Sequence, residues 1–392
     1  MRRLAAIAAS LLIPAAWAQP PNAELIRVAV SRGQPEVELE VDGRFVMSGL
    51  ASRSPLEQGK RLKPLAVRAI PEGLAIGTRT LPLPGVRIEP QRGATIRLNG
   101  SQFHGLLEIH RQQDETLLVI NHLPLEAYLR GVLSKEAPDY WPSEALKAVA
   151  IAARTYAVYQ RYSKAEQAFD VTSDVMSQDY GGKSAEKAAT SRAVEETAGW
   201  ILLYHDVLFP AFYHSTCGGV TEHARVMGKG FTIEPLQGGV RCSFCAASPF
   251  HTWRRRLTKA DVNWALKKSR HGTVGAVREL RVTRRASSGR AEQIAITGAT
   301  RTLLLSAYEF RQVFGFDRIR SPLFSVLTEG DDFIIDGHGW GHGVGLCQWG
   351  TAELARRGVS APEILAYFYP GAQLVHVSEL AHRPITVLQG GS

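Results

Sequence analysis

The sequence predicts an α+β fold, in which mixed antiparallel sheets and helices form the main domain after a small β-rich N-terminal region. Three observations carry that reading. Residues up to about 122 are mostly β-patterned, and the segments after 124 carry apolar residues at helical spacing. Beyond residue 200, strands and helices mix without the regular βαβ order of a doubly wound sheet.

Residues 1–18, MRRLAAIAASLLIPAAWA, start basic at Arg2 and Arg3, continue as a short apolar run and end with Ala16 and Ala18. That pattern predicts a secretory signal cut before Gln19, and so export to the periplasm or cell envelope. No later stretch is long and apolar enough to span a bilayer. Roughly 370 residues then remain, enough for one large domain or two modest ones. The net charge is +9 and falls by two without the signal, which holds Arg2 and Arg3 and no acid. A moderately basic exported chain suits an anionic partner such as a cell-wall polymer. No Lys/Arg run interleaved with aromatics points to nucleic acid.

Val28 and Val30, then Val37, Leu39 and Val41, alternate towards an expected turn at Asp42-Gly43. The Pro- and Gly-rich segment 53–85 is expected to close the N-terminal region, which places it at 19–85, the main domain at 86–380 and a tail at 381–392. GLLEIH and LLVINH around RQQDET read as a hairpin. Leu125, Tyr128, Leu129, Val132 and Leu133 then predict a helix over 125–136, ended by Pro138. Ser143 reads as the N-cap of a longer helix to about 162. Further on, ELRVTRR and AEQIAITG flank ASSGR, and SPLFSVL and DFIIDG flank TEGD. Ser360 with Glu363 is a capping-box signature for a helix that Tyr369-Pro370-Gly371 stops.

One side chain is out of keeping with its setting. The apolar stripe of 125–136 runs on to Glu136, a carboxylate at the C-terminal end of a short helix. Apolar surroundings and the negative end of the helix dipole both raise a carboxyl pKa, as a general acid requires. Glu126 and Glu144 lie near helix N-termini, where ionisation is favoured, so structural roles are expected of them. GHGWGHGVG, after the strand DFIID, alternates glycine with larger residues and so allows close backbone approach. It lacks the phosphate-loop lysine, and no H-E-x-x-H occurs in the chain.

Five stretches, in order, resemble the SpoIID (stage II sporulation protein D)/LytB-related family of bacterial cell-wall proteins. They are LPLEAYLRGVLSKEAPDYWPSEALKAVAIAARTYAV, SDVMSQDYGG, YHSTCGGVTE, GHGWGHGVGLCQWGTAELARRG and ILAYFYPGAQL, within 86–375. The resemblance implies a lytic transglycosylase acting on peptidoglycan glycan strands, preferably strands an amidase has stripped of stem peptides. Such an enzyme cleaves the β-1,4 bond between N-acetylmuramic acid and N-acetylglucosamine and leaves a 1,6-anhydro end. It implies Glu136 as the catalytic acid, with Gln178, Tyr180, His214, Ser215, His342 and Gln348 around the substrate groove. Arg154 would pair with a muramic carboxylate or serve a structural ion pair; Trp340 or Trp349 would stack on a sugar or fill the core. The alternative is a non-catalytic wall-binding protein that stimulates an amidase, as LytB-type relatives do.

Four cysteines remain to be placed. Cys242 and Cys245 form C-x2-C, His251 follows, and Cys217 lies upstream, which fits a closed structural zinc set that the chemistry itself does not need. His214 and His223 are alternative fourth ligands. The rival is a disulfide from Cys217 to Cys242 or Cys245, normal in exported proteins. Cys347, where the family usually has a small residue, is expected to be a buried small hydrophobe.

Overall fold

The computed structural model describes residues 25–50, 54–174, 176–227, 230–380 and 385–389; the expected signal segment lies outside them. Alternating buried and exposed residues build a large mixed sheet from the first third of the chain. Its order runs Val171–Thr172, Leu25–Gln34, Leu117–Pro124, Leu106–Arg111, Gly85–Pro90, Glu36–Gly49, Pro55–Ile70, Gly73–Ile76, Arg79–Leu81. The expected hairpin of 106–111 with 117–124 is present, and Val37, Leu39 and Val41 all point into the core.

Two local expectations give way here. Asp42-Gly43 is not a turn, because Glu36–Gly49 runs through it as one strand. Its register against Pro55–Ile70 slips between Asp42 and Phe45, and Gly43 takes φ +112°, where an added Cβ would lie 2.7 Å from Ala94 Cβ. The glycine serves a bulge that bends a long strand. Nor does residue 85 separate two units. Leu25–Gln34 pairs antiparallel with Leu117–Pro124, and a single hydrophobic core runs from Ile26 to Tyr369. The second core lies inside the expected main domain, between Trp253 and Ile335.

Seven helices follow in the described residues: α1 (Leu125–Glu136), α2 (Ser143–Ser163), α3 (Ala188–Glu196), α4 (Lys259–Lys268), α5 (Ala307–Phe314), α6 (Gln348–Arg356) and α7 (Ala361–Phe368). α2 is the central post. Ala145, Ala148, Ala150, Ala152, Ala153 and Ala157 are buried on it, and these small side chains let α1, α3, α6 and α7 close around it. Pro142, not Ser143, occupies its N-cap, and Ser143 is the first helical residue. The capping box of Ser360 and Glu363 at α7 is formed as expected. Glu144 has the structural role expected of it, accepting from Lys147 and from the Ala361 backbone amide.

The second core is built by two three-stranded sheets with α4 and α5. One contains the expected pair Phe324–Glu329 and Asp332–His338, with Thr252–Thr258 on its other side; the second contains Val277–Arg285, Ala291–Gly298 and Thr302–Ser306. Part of the expected tail docks on the first core, with Thr386–Val387 parallel to Val207–Leu208 and the Tyr159 hydroxyl donating to Leu388 O at 3.0 Å.

Candidate active site

α1 stops at Glu136 because Pro138 disfavours the helical conformation at the residue before it; Ala137 is extended at φ −137°, ψ 136°. The last side chain of the helix is thereby left at the wall of a cavity of about 460 Å³. Glu136 is half-buried there. Oε1 accepts from the Asp179 backbone amide at 3.1 Å, and Oε2 accepts from Gln348 Nε2 at 3.2 Å. The same Gln348 nitrogen donates to the Glu136 backbone carbonyl at 3.1 Å. Tyr213 is the third partner: its hydroxyl accepts from Gln178 Nε2 at 2.9 Å, leaving the phenolic proton for Glu136.

Burial raises the Glu136 carboxyl pKa. The bonds from the Asp179 amide, Gln348 and Tyr213 pull back part of that rise, while the Asp179 carboxylate nearby adds to it. The imidazoles in the same wall move the other way. His214 is pushed well down by burial and by His342, and its Nδ1 lies 3.0 Å from Val344 O. His342, whose Nδ1 accepts from the Val344 amide, is held at about 3 by burial. Both rings are therefore neutral at physiological pH, and Glu136 is the acid whose pKa moves towards neutrality.

The glycine-rich stretch packs against the segment that carries the histidines. Gly341 sits at φ +110°, where a Cβ would lie 2.7 Å from His214 Cβ. The close approach expected of this stretch is thus to another chain segment. Tyr213–His214 runs parallel to Leu346–Cys347, which sets the histidine wall beside Gln348 at the start of α6. A second cavity of about 810 Å³ shares Tyr156, Met176, Phe212, Met227 and His342 with the first and extends between the two cores. Together they make a groove, with Glu136 in the wall of the smaller cavity.

Known proteins resemble this chain. The family model described as stage II sporulation protein (SpoIID) matches residues 113–204, and a domain of unknown function (DUF8618) matches 244–345. The stage II sporulation protein D of Bacillus subtilis is 28% identical over 270 residues, 65% of this chain and 75% of its own. The amidase enhancer of B. subtilis is 28% identical over 336 residues, 74% of this chain and 46% of its own. An uncharacterized protein of Brachyspira hyodysenteriae is 33% identical over 294 residues, 74% of this chain and 76% of its own. The chain belongs to the SpoIID family.

Within this SpoIID-family member, the structure brings Glu136, His214, Ser215, His342 and Gln348 to one cavity wall. It does not bring Arg154, Gln178 or Tyr180 there. Arg154 is fully buried and bidentate to Glu126 at 2.8 Å on each arm, with Val194 O and Trp200 O taking further protons. Its guanidinium is used up by the fold, as is the carboxylate of Glu126. Gln178 spends its amide on Tyr128, Ala153 and Tyr213, so it supports the wall from behind. Tyr180 donates to Asn121 and packs on Tyr128, deep in the core. Trp340 lines the groove, whereas Trp349 packs edge-on to Trp141. Tyr213 and Asp179 are the contributors that sequence reasoning passed over. Each adjoins a residue singled out above, but the direction of a side chain in an irregular loop has no period to betray it.

The cysteine set is also revised. The sulfurs of Cys217, Cys242, Cys245 and Cys347 all lie within 4.8 Å of one another, and all four residues are buried. His251 is outside that group, with Nδ1 3.7 Å from Cys245 Sγ. Cys347 takes its place because strand pairing sets His214 opposite Cys347, and the Cys217 amide then donates to Cys347 Sγ at 3.2 Å. The alternative fourth ligands go elsewhere: His214 faces the groove, and His223 Nδ1 accepts from the Arg225 amide. Among the described residues, no helix is long and apolar enough to cross a membrane.

Proposed function

We propose that this protein is a peptidoglycan lytic transglycosylase of the cell envelope, cleaving the β-1,4 bond between N-acetylmuramic acid and N-acetylglucosamine with Glu136 as its single acid and base. The observation that carries this reading is the position of Glu136: a carboxyl with raised pKa at a groove wall, held by Gln348 and the Asp179 amide beside two neutral imidazoles. The protonated Glu136 gives its proton to the bridging oxygen as that oxygen leaves C1 of the muramic sugar. The resulting carboxylate takes the proton of the 6-hydroxyl while O6 bonds to C1, and the acid is restored. One bond breaks, one forms, and no water is consumed.

A hydrolase working by two carboxylates would need a second group to activate water or attack carbon. Asp179 is the nearby candidate on the same cavity wall, but its carboxylate is half-exposed and faces Lys135 at 3.6 Å, a partner that favours an ion pair over attack on carbon. Two adjoining cavities of about 460 and 810 Å³ suit a strand rather than a monosaccharide, and the histidine, hydroxyl and amide groups beside Glu136 suit N-acetyl and hydroxyl recognition. Peptide-stripped strands, and hence an amidase acting beforehand, are the preferred supply in this reading.

Similarity to a protein named amidase enhancer favours a second reading, a wall-binding stimulator without chemistry of its own. Mass analysis of peptide-free glycan strands after incubation separates the two. Anhydro-muramic ends support the transglycosylase, ends heavier by one water show a hydrolase, and intact strands with faster amidase turnover show the stimulator.

A further inference from the structure

Three segments far apart in the chain deliver four sulfurs to one buried point behind the groove wall. Cys217 follows Tyr213–His214–Ser215, Cys242 and Cys245 flank the start of a short 3-10 turn, and Cys347 directly precedes Gln348. We propose that Cys217, Cys242, Cys245 and Cys347 hold one structural zinc ion, which clamps the segments bearing Ser215 and Gln348 against the helix end at Glu136.

The distances fit the ion. A zinc–thiolate bond of about 2.3 Å in a tetrahedron sets neighbouring sulfurs about 3.8 Å apart. Cys217 and Cys245 sulfurs are 3.5 Å apart, and no pair of the four exceeds 4.8 Å. Backbone amides already point at the sulfurs, Cys217 N to Cys347 Sγ at 3.2 Å and Gly219 N to Cys217 Sγ at 3.4 Å, as the outer shell of a thiolate site requires. The Arg290 guanidinium is buried beside them, donating to Cys217 O at 2.5 Å and Val220 O at 2.9 Å. Its Nε has no hydrogen-bond partner among the described residues. A cation in that place offsets the net negative charge of a zinc tetrathiolate. Four protein ligands leave no open position for water, so the site is structural and takes no part in bond cleavage.

The clamp follows from what the ligands adjoin. Trp349 N donates to Ser215 O at 3.1 Å, and a Cβ at Gly350 would lie 2.6 Å from Cys242 Sγ, so the first turn of α6 rests directly on the cluster. Gln348 begins that turn and holds Glu136 by two bonds. His251 is an outer neighbour, not a ligand.

Protein purified without a histidine tag tests this by elemental analysis, cobalt substitution and hydrogen exchange. One zinc per chain is expected. Cobalt should give strong thiolate-to-metal charge-transfer absorption with the visible bands of a tetrahedral site. His251→Ala should keep one zinc, and Cys347→Ser should lose most of it. If Cys347→Ser does not fold, the intensity of the wild-type cobalt charge-transfer band, which grows with each cobalt–sulfur bond, decides between four thiolates and three. Removing zinc should speed amide exchange at 215–219 and 346–350 while α2 stays protected. Iron in place of zinc, a metal-free protein with either four free thiols or none, or metal loss in His251→Ala but not Cys347→Ser would overturn the site. Unchanged exchange after zinc removal would overturn the clamp. None of these readouts needs a substrate, so the inference stands apart from the reaction proposed above.

Discussion

Glu136→Gln separates the proton from the shape of the side chain. The Asp179 amide keeps an acceptor, but the new amide nitrogen faces Gln348 Nε2, two donors where a donor and an acceptor met. Gln348 must turn its amide or give up one bond, at a cost of about 1 kcal/mol. A pH-dependent gain of the wild type adds to that difference. Burial raises the folded-state pKa of Glu136 above the reference 4.5, so the folded wild type holds a proton where the unfolded chain has released it. Its contribution to stability is complete below the unfolded pKa and is lost as pH rises through the folded pKa. Each tenfold gain in proton affinity on folding corresponds to about 1.4 kcal/mol. Wild type minus variant stability, from urea titrations between pH 4 and 8.5, should therefore fall with rising pH and level off above the folded pKa. Strand cleavage should drop by about 10²–10⁴-fold or more, the usual worth of a general acid–base group. A variant cleaving within tenfold of wild type, or a stability difference flat across that range, would refute the reasoning.

Arg154→Ala leaves Glu126 without its buried partner and frees the Val194 and Trp200 carbonyls, so stability should fall by about 3–5 kcal/mol in denaturant titrations. A variant as stable as wild type but poor at retaining glycan would restore a sugar-binding role. Tyr213→Phe removes a hydroxyl that lowers the Glu136 pKa, so the alkaline limb of the pH–rate profile should move to higher pH; movement to lower pH counts against the contact. Gly341→Ala forces a Cβ to within 2.7 Å of His214 Cβ at φ +110°, and calorimetry should show a loss of about 1–3 kcal/mol; unchanged melting would mean the loop relaxes freely.

Local signals were the legible part. The helix of 125–136, the hairpins at 106–124, 277–298 and 324–338, and the capping box at Ser360 all lie within the reach of periodicity and turn chemistry. Glu136 was legible for the same reason, since an apolar stripe, an acid and Pro138 fall within one turn. Asp42-Gly43 misled because glycine at positive φ serves a bulge as well as a turn. The unit boundary misled because pairing of Leu25–Gln34 with Leu117–Pro124 leaves no trace in composition. Arg154 sits in a stretch matching the family, and only its burial against Glu126 reveals that its charge is spent. Cys347 could not be joined to Cys217 across 130 residues, because parallel pairing between two-residue strands has no sequence period.

Gln348 shows why the acid belongs at a helix end. The last carbonyls of any helix lack intrahelical donors and must find partners elsewhere. Gln348 Nε2 supplies one to the backbone of Glu136 and the same nitrogen to its carboxylate. One amide thus finishes α1 and aims the proton, so the carboxylate cannot swing away without also giving up a cap. An acid in mid-helix would have no free carbonyl for such a shared donor. The arrangement also explains how a half-buried carboxyl keeps a raised pKa while making several hydrogen bonds: Gln348 is neutral and divides its donor between two oxygens, and the Asp179 amide brings its own carboxylate with it. Positioning is supplied without the full positive field that an arginine or lysine would impose, and such a field would hold the carboxyl ionised and unable to donate.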